Sequence, residues 1–285
     1  MGAILEVEGL TKRLGDFVLD GVSFALPDNC ITGFIGVNGA GKTSTIKLLL
    51  GLMREDVGDI RFLGEDIRKR ERVFKNQIGV VWDDGYFYPD LTLLEMKDVV
   101  AAAYSEWDES QFRKLLERFG LQGKQRIGTL SKGMRMKYAI ALAMSHRARL
   151  LVMDEPTSGL DPQVRKELLD LLLSYVAEGN SVFVSTHITS DLDKIADYLI
   201  LLDQGKVVWE EEKDRLLDTH RIIKGGAEEL TPDIRSLFLT LDESSYGFTG
   251  LTAQREKVCR QLGKVQVERP SVEDIMLGYV GRSRA

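Results

Sequence analysis

Ile31-Thr32-Gly33-Phe34-Ile35-Gly36-Val37-Asn38-Gly39-Ala40-Gly41-Lys42-Thr43-Ser44 is the stretch on which the reading of this chain turns. A short apolar run over residues 31–35 reads as a buried strand. It gives way to a glycine-rich loop and then to a helix in which Ile46, Leu49, Leu50 and Met53 recur at i, i+3, i+4 and i+7. The spacing GxxGxGKT at a strand-to-helix junction is that of a phosphate-binding loop. Small residues at Gly36, Gly39, Ala40 and Gly41, with Asn38 between them, let backbone N–H groups close around the phosphates of a nucleotide. The positive end of the following helix points at the same anion. Lys42 can reach the β and γ phosphates, the Thr43 hydroxyl can ligate Mg²⁺, and Ser44 is a further phosphate contact. The ligands implied are ATP and Mg²⁺.

Working outward, short apolar runs alternate with amphipathic helices, the pattern of an α/β fold with a largely parallel sheet. Residues 150–153 form a continuous apolar run that delivers Asp154 and Glu155 at its end, and residues 182–184 do the same for Ser185, Thr186 and His187. Between them the sequence predicts a helix with Asp161 as N-cap, Pro162 at its first position, Val164, Leu168, Leu171 and Leu172 inward, and Gly179 as its stop. Asp154 stands where a carboxylate would hold Mg²⁺, and Glu155 where one could address the attacking water. Residues 85–149 read as a helical insertion, with Leu93, Met96, Val99 and Val100 at helical spacing. The turn Asp203-Gln204-Gly205 predicts a hairpin, and the chain beyond about residue 215 reads as an appendage.

With 44% hydrophobic and 29% charged residues over 285 positions, the chain has the composition of a globular protein. A formal charge of −6 argues against a nucleic-acid partner. Cys30 and Cys259 fit neither a disulfide framework nor a zinc site and are expected to be buried, reduced thiols. The amino-terminal segment lacks the features of a signal peptide, and no apolar run approaches the roughly 20 residues needed to span a bilayer. Any membrane crossing is therefore expected of another chain.

Leu130-Ser131-Lys132-Gly133-Met134 stands shortly before Asp154 and matches the signature LSGGQ of the ABC ATPases at Leu130, Ser131 and Gly133. Asp154-Glu155-Pro156-Thr157, Ser158-Gly159-Leu160-Asp161 and His187 follow in the family's order, so over residues 1–212 the sequence resembles that family. The resemblance implies a P-loop ATPase with a RecA-like core, an antiparallel β part and a helical insertion, over residues 1–214, followed by a small α+β extension over residues 215–285. It implies ATP hydrolysis with Lys42, Glu155 and His187 as catalytic residues, Glu155 as base or water-positioning group and His187 on the γ-phosphate. Ser131 and Gly133 would face the ATP of a second ABC ATPase subunit, identical or related.

Two positions depart from the family's pattern. Leu14 falls where an aromatic residue would stack on adenine; leucine offers apolar contact only and forgoes about 0.5–1.5 kcal/mol of stacking. Phe17 is the candidate to compensate. Asp83 falls where the family has a glutamine, and as a carboxylate it is expected to be a third acid at the metal. Tyr86-Phe87-Tyr88 suits either the core of the helical insertion or the docking of a membrane subunit; exposure of two or more rings would favour docking. The segment Pro270-Ser271-Val272-Glu273-Asp274-Ile275-Met276, with Tyr279, is similar to the endings of bacterial antibiotic, drug and lipid exporter ATPases. The leading expectation is thus an exporter subunit, peripheral at the cytoplasmic face of the cell membrane and joined to polytopic permease subunits. The alternative is a soluble ABC ATPase that assembles or remodels a partner.

Overall fold

The computed structural model describes residues 2–83 and 86–282. Strands β1 (Ala3–Leu14) and β2 (Phe17–Pro27) form a long hairpin, and β3 (Ile31–Ile35) runs through the phosphate loop into helix α1 (Lys42–Leu49). Strands β4 (Val57–Phe62) and β5 (Glu65–Asp66) join the hairpin in an antiparallel sheet of order β2-β1-β4-β5. Helix α2 (Glu71–Asn76) then leads to β6 (Ile78–Val81). Three helices follow, α3 (Leu93–Ala101), α4 (Glu109–Arg118) and α5 (Lys132–Ala143), before the chain returns to a sheet in β7 (Leu150–Asp154). Helix α6 (Pro162–Ala177), β8 (Ser181–Thr186), α7 (Thr189–Ile195), β9 (Tyr198–Asp203) and β10 (Lys206–Glu212) complete a six-stranded sheet of order β10-β9-β3-β8-β7-β6. Only β10 runs antiparallel to its neighbour.

Strand periodicity sorts the central sheet's side chains onto two faces. Leu150 and Val152 join Phe34, Phe183 and Ile200 in the core beneath the antiparallel sheet, where the Phe24, Phe34 and Phe183 rings lie 5.2–6.0 Å apart. Leu151 and Met153 face the opposite way, into the core shared with α5, α6 and α7. Both faces being covered, the parallel strands are largely apolar, and apart from Thr32 of β3 their polar residues stand at strand ends.

Several sequence expectations need correction in detail. Helix α1 stops at Leu49, with Leu50 as its C-cap and Gly51 at φ +66°, so Met53 packs from the following loop and not from the helix. In α3, Leu93 and Met96 are buried, but Val99 is 54% exposed. At i+6 from Leu93 it lies about 240° around the helix axis. Cys30 is buried, with its thiol pushed up to about 11 by desolvation, whereas Cys259 is only half-buried. The expected start of the helical insertion at Gly85 lies outside the described residues.

The segment after β10, unassigned from sequence beyond its α+β character, has a recognisable topology. Helix α8 (Lys213–Thr219) precedes β11 (Arg221–Gly225), α9 (Pro232–Arg235), β12 (Thr240–Ser244), β13 (Gly247–Thr252), α10 (Arg255–Gln261), β14 (Gln266–Glu268) and α11 (Val272–Arg282). From β11 to β14 this is a β-α-β-β-α-β order in an antiparallel sheet arranged β12-β13-β11-β14, the split βαβ of ferredoxin-like units. Ile223, Phe238, Phe248 and Val258 give it a core of its own. Helix α11 starts with a reciprocal cap between Ser271 and Asp274 and buries Val272, Ile275 and Met276 in the main core. Its Gly278 lets it lie on Leu251 of β13, since a Cβ there would come within 2.6 Å of that side chain. The extension is thereby clamped to α7.

The helical insertion is tied together by Tyr138, which is fully buried on α5 and donates its hydroxyl to the Leu93 carbonyl at 2.7 Å. Tyr138→Phe leaves that carbonyl without its partner. The expected cost is about 1–2 kcal/mol, read as a lower denaturation midpoint with an unchanged slope in urea.

Candidate active site

The phosphate loop owes its shape to close backbone contacts. A Cβ on Gly36 would sit 2.2 Å from the Leu202 carbonyl oxygen. Gly41 has φ +110°, and a Cβ there would meet the side chains of Leu19 at 2.7 Å and Phe17 at 2.9 Å. Gly41 is also the N-cap of α1, so no side chain occupies the helix's positive end. Lys42 is buried and donates to the Gly36 carbonyl at 2.7 Å. Burial pulls its ammonium below the usual lysine range, against the opposing pull of Glu155 and then Asp154. Glycines, an uncapped helix start and a buried lysine together make a cradle for an anion.

Next to the cradle, the Thr43 hydroxyl donates to Asp154 Oδ2 at 2.9 Å, and Ser185 Oγ donates to Asp154 Oδ1. A hydroxyl and a carboxylate in contact form a donor set of hard oxygens, which fits Mg²⁺, an ion that takes few protein ligands beside substrate phosphates and water. Glu155 follows at the end of β7 with φ +50°, unusual for a residue with a Cβ. The turn is held by the Glu155 N–H bonded to the Ser185 carbonyl at 2.9 Å. Its side chain is approached from three directions. His187 Nδ1 lies 2.9 Å from Oε2, the His187 backbone N–H donates to the same oxygen at 3.3 Å, and Lys42 Nζ stands 3.9 Å from Oε1. Glu155, His187 and Lys42, which follow β7, β8 and β3, therefore form one contact chain.

Ser131 caps α5 by accepting the Met134 N–H at 3.2 Å. Gly133 stands against α6, where a Cβ would press on Val164 at 3.3 Å, so close helix packing is reason enough for a glycine there. Asp83 does not sit as a third acid at the metal corner. Its Oδ1 is 2.6 Å from Lys132 Nζ, and no group of three or more His, Cys, Asp or Glu able to hold a metal ion occurs among the described residues. Leu14 pairs with Phe17 across the β1–β2 hairpin. Of the two, Phe17 lines the depression beside Val37, Asn38, Gly39 and Ala40.

The model of the ABC transporter family matches residues 19–158. A Nod factor export ATP-binding protein of a Rhizobium strain is 32% identical over 98% of this chain and 97% of its own length. The chain belongs to the ABC transporter family. A bacitracin transport ATP-binding protein of Bacillus licheniformis is 35% identical over 78% of this chain and 74% of its own. A solved ATP-binding subunit of an ABC transporter superposes with a TM-score of 0.69 at 29% identity, covering 75% of this chain and 92% of that one. This is an ATP-binding, ATP-hydrolysing ABC subunit, with the α/β fold of that ATPase.

Sequence reading of the ABC subunit missed one supporting contact. Arg165 of α6 holds the nearly inaccessible Asp191 of α7 through its Nε, at 2.7 and 2.8 Å from the two carboxylate oxygens. This pins α7 just after the turn that carries His187. Neither residue belongs to a motif, and only the fold brings them together. The other two histidines are packing residues. His146 stacks on Tyr104 at 3.7 Å, and His220 is bonded to the Tyr279 hydroxyl at 3.0 Å. In the Tyr86–Tyr88 stretch, Phe87 packs on Tyr138, whereas Tyr86 and Tyr88 are 80% and 64% exposed. A groove of about 600 Å³ along the free edge of β6 is lined by Leu50, Leu52, Phe74, Trp82 and Tyr104, and Tyr86 meets Trp82 edge-on.

Gly41→Ala should strain the loop by about 1–3 kcal/mol. The expected result is a loss of affinity for a fluorescent ATP analogue of about fivefold or more, while far-ultraviolet circular dichroism stays unchanged.

Proposed function

We propose that this subunit works in a head-to-tail pair, each ATP lying between the phosphate loop of one subunit and the Ser131–Gly133 helix start of the other, and that closure of the pair drives export through separate membrane-spanning chains. In this reading Gly36, Asn38, Gly39, Ala40, Gly41, Lys42, Thr43 and Ser44 hold the triphosphate, and Phe17, with Leu14, flanks the base. Thr43 and Asp154 would hold Mg²⁺, which supplies charge neutralisation of the phosphate oxygens. Glu155 positions the attacking water and accepts its proton. His187, whose Nδ1 stands 2.9 Å from Glu155 Oε2, is left with Nε2 to address the terminal phosphate.

Export is the reading best supported by the relatives, because the Nod factor export protein aligns over the extension as well as the ATPase core. No helix among the described residues is long and apolar enough to cross a membrane, so the membrane-spanning work falls to partners and the subunit would sit peripherally on the cytoplasmic face. Their docking place, in this reading, is the β6-edge groove with the exposed Tyr86 and Tyr88, two tyrosines that the protein's own core leaves uncovered. The formal charge of −6 gives no support to a nucleic-acid partner.

Three outcomes are expected. Mg²⁺-dependent ATPase activity per subunit of the purified chain falls on dilution, as a dimeric enzyme requires; activity per subunit independent of concentration would sink the paired site. Glu155→Gln lowers turnover by about 100-fold or more without loss of ATP binding, measured at saturating ATP. The double variant Tyr86→Ala, Tyr88→Ala keeps ATPase activity but no longer brings down a polytopic membrane protein on affinity purification from membranes. If the unsubstituted chain brings down no such protein, a soluble remodelling ATPase becomes the better reading.

A further inference from the structure

Lys132 and Asp83 are the two charges in the active-site region that the family pattern does not contain. Lysine stands where the signature has glycine, and aspartate where glutamine is expected. The structure joins them at 2.6 Å, and among the described residues neither has another ion-pair partner. We propose that Lys132 is a positioning residue that exchanges anions during the ATPase cycle. Asp83 of its own chain holds it while the subunits are apart, and the terminal phosphate of the ATP on the partner subunit takes it when they close. The inference rests on the paired-site reading above.

Position is the first argument. Lys132 is the first residue of α5, a 12-residue helix capped by Ser131, and a cation at the positive end of a helix is unfavourable unless an anion offsets it. Asp83 supplies that anion in the single chain. The second argument is the quality of the contact. Asp83 Oδ1, itself shielded from solvent, has charge contact with Lys132 but no aligned hydrogen bond, while the two side chains as wholes are 39% and 34% exposed. Such a pair is weak and sensitive to salt, so it is easily given up. A phosphate brings more charge and three acceptor oxygens to the same ammonium.

The third argument is what surrounds the ammonium. A Cβ built on Gly159 would lie 3.6 Å from Lys132 Nζ. Gly159 lies in the turn between Glu155 and α6, so the ammonium stands where the end of β6, the start of α5 and the Glu155 turn converge. A ligand drawn to the start of α5 meets it there. An exchange and a static strut between β6 and α5 differ in sign. If Asp83 competes with phosphate for Lys132, removing its charge helps closure and removing the lysine hinders it. If the pair is a strut, both losses hinder alike.

The test uses the full chain carrying Glu155→Gln and reads the ATP concentration that gives half-maximal dimer by light scattering. Lys132→Met should raise that concentration roughly tenfold, the scale of one charge-assisted contact. Asp83→Asn should lower it several-fold, and the double variant should follow Lys132→Met. Lys132→Arg, which keeps the charge, should stay near the parent. Binding of a fluorescent ATP analogue to the monomer should be the same in all, since the phosphate loop is untouched. Equal shifts in one direction for Lys132→Met and Asp83→Asn, or no shift for either, overturn the exchange while leaving the paired site standing. No ATP-driven dimer from Glu155→Gln alone overturns the paired site and the exchange with it.

Discussion

A parallel sheet buried on both faces can carry polar side chains only where its strands end, and the active site of this protein follows from that constraint. Unsatisfied polar groups are costly in such an interior, and the strands from β6 to β9 are accordingly apolar along most of their length. Asp154 and Glu155 leave β7, Ser185 and His187 leave β8, and the phosphate loop leaves β3, all at carboxyl ends. Because β3, β8 and β7 are adjacent, these groups converge without any long-range design beyond strand order. The hydrogen bonds from Ser185 and Thr43 to Asp154 are the direct product of that adjacency.

The core of this arrangement was legible in the sequence because its determinants are local. A glycine-rich loop between strand and helix, apolar runs ending in carboxylates, and the cap Asp161 with Pro162 are all decided within a few residues. What escaped depends on contacts between distant segments. Asp83 was expected at the metal because it falls where the family has a glutamine; its ion-pair partner, Lys132, lies on another element, and nothing in either neighbourhood announces the pair. Arg165 and Asp191 are hidden for the same reason. Leu14 and Phe17 are alternatives for the base in the sequence, and the contact that distinguishes them, Phe17 against Gly41, is set by the hairpin. The ferredoxin-like unit was invisible because its strands are short, and β12 with its exposed Glu243 and Ser244 has no apolar alternation to show.

The helical insertion has a different relation to the core from that of the strands. It turns on Tyr138 and on the Phe87 ring packed against it, while the Asp83–Lys132 contact links it to the end of β6. Two well-packed bodies joined partly by a half-exposed ion pair can shift against each other more readily than either can deform. That contact lies between the phosphate loop's sheet and the exposed tyrosines.

Helix α11 adds a constraint on how the chain reaches this state. Its Val272 N–H binds Asp193 of α7 across 79 residues of sequence, and its apolar side belongs to the same core as Leu192 and Ile195. During synthesis, that side of α7 therefore emerges well before the segment that covers it. A nascent chain paused within the ferredoxin-like unit would display a finished phosphate loop beside an uncovered apolar seam. It would be a substrate for chaperones at the moment it first becomes able to hold a nucleotide, so ligand binding and maturation are open to coupling in time.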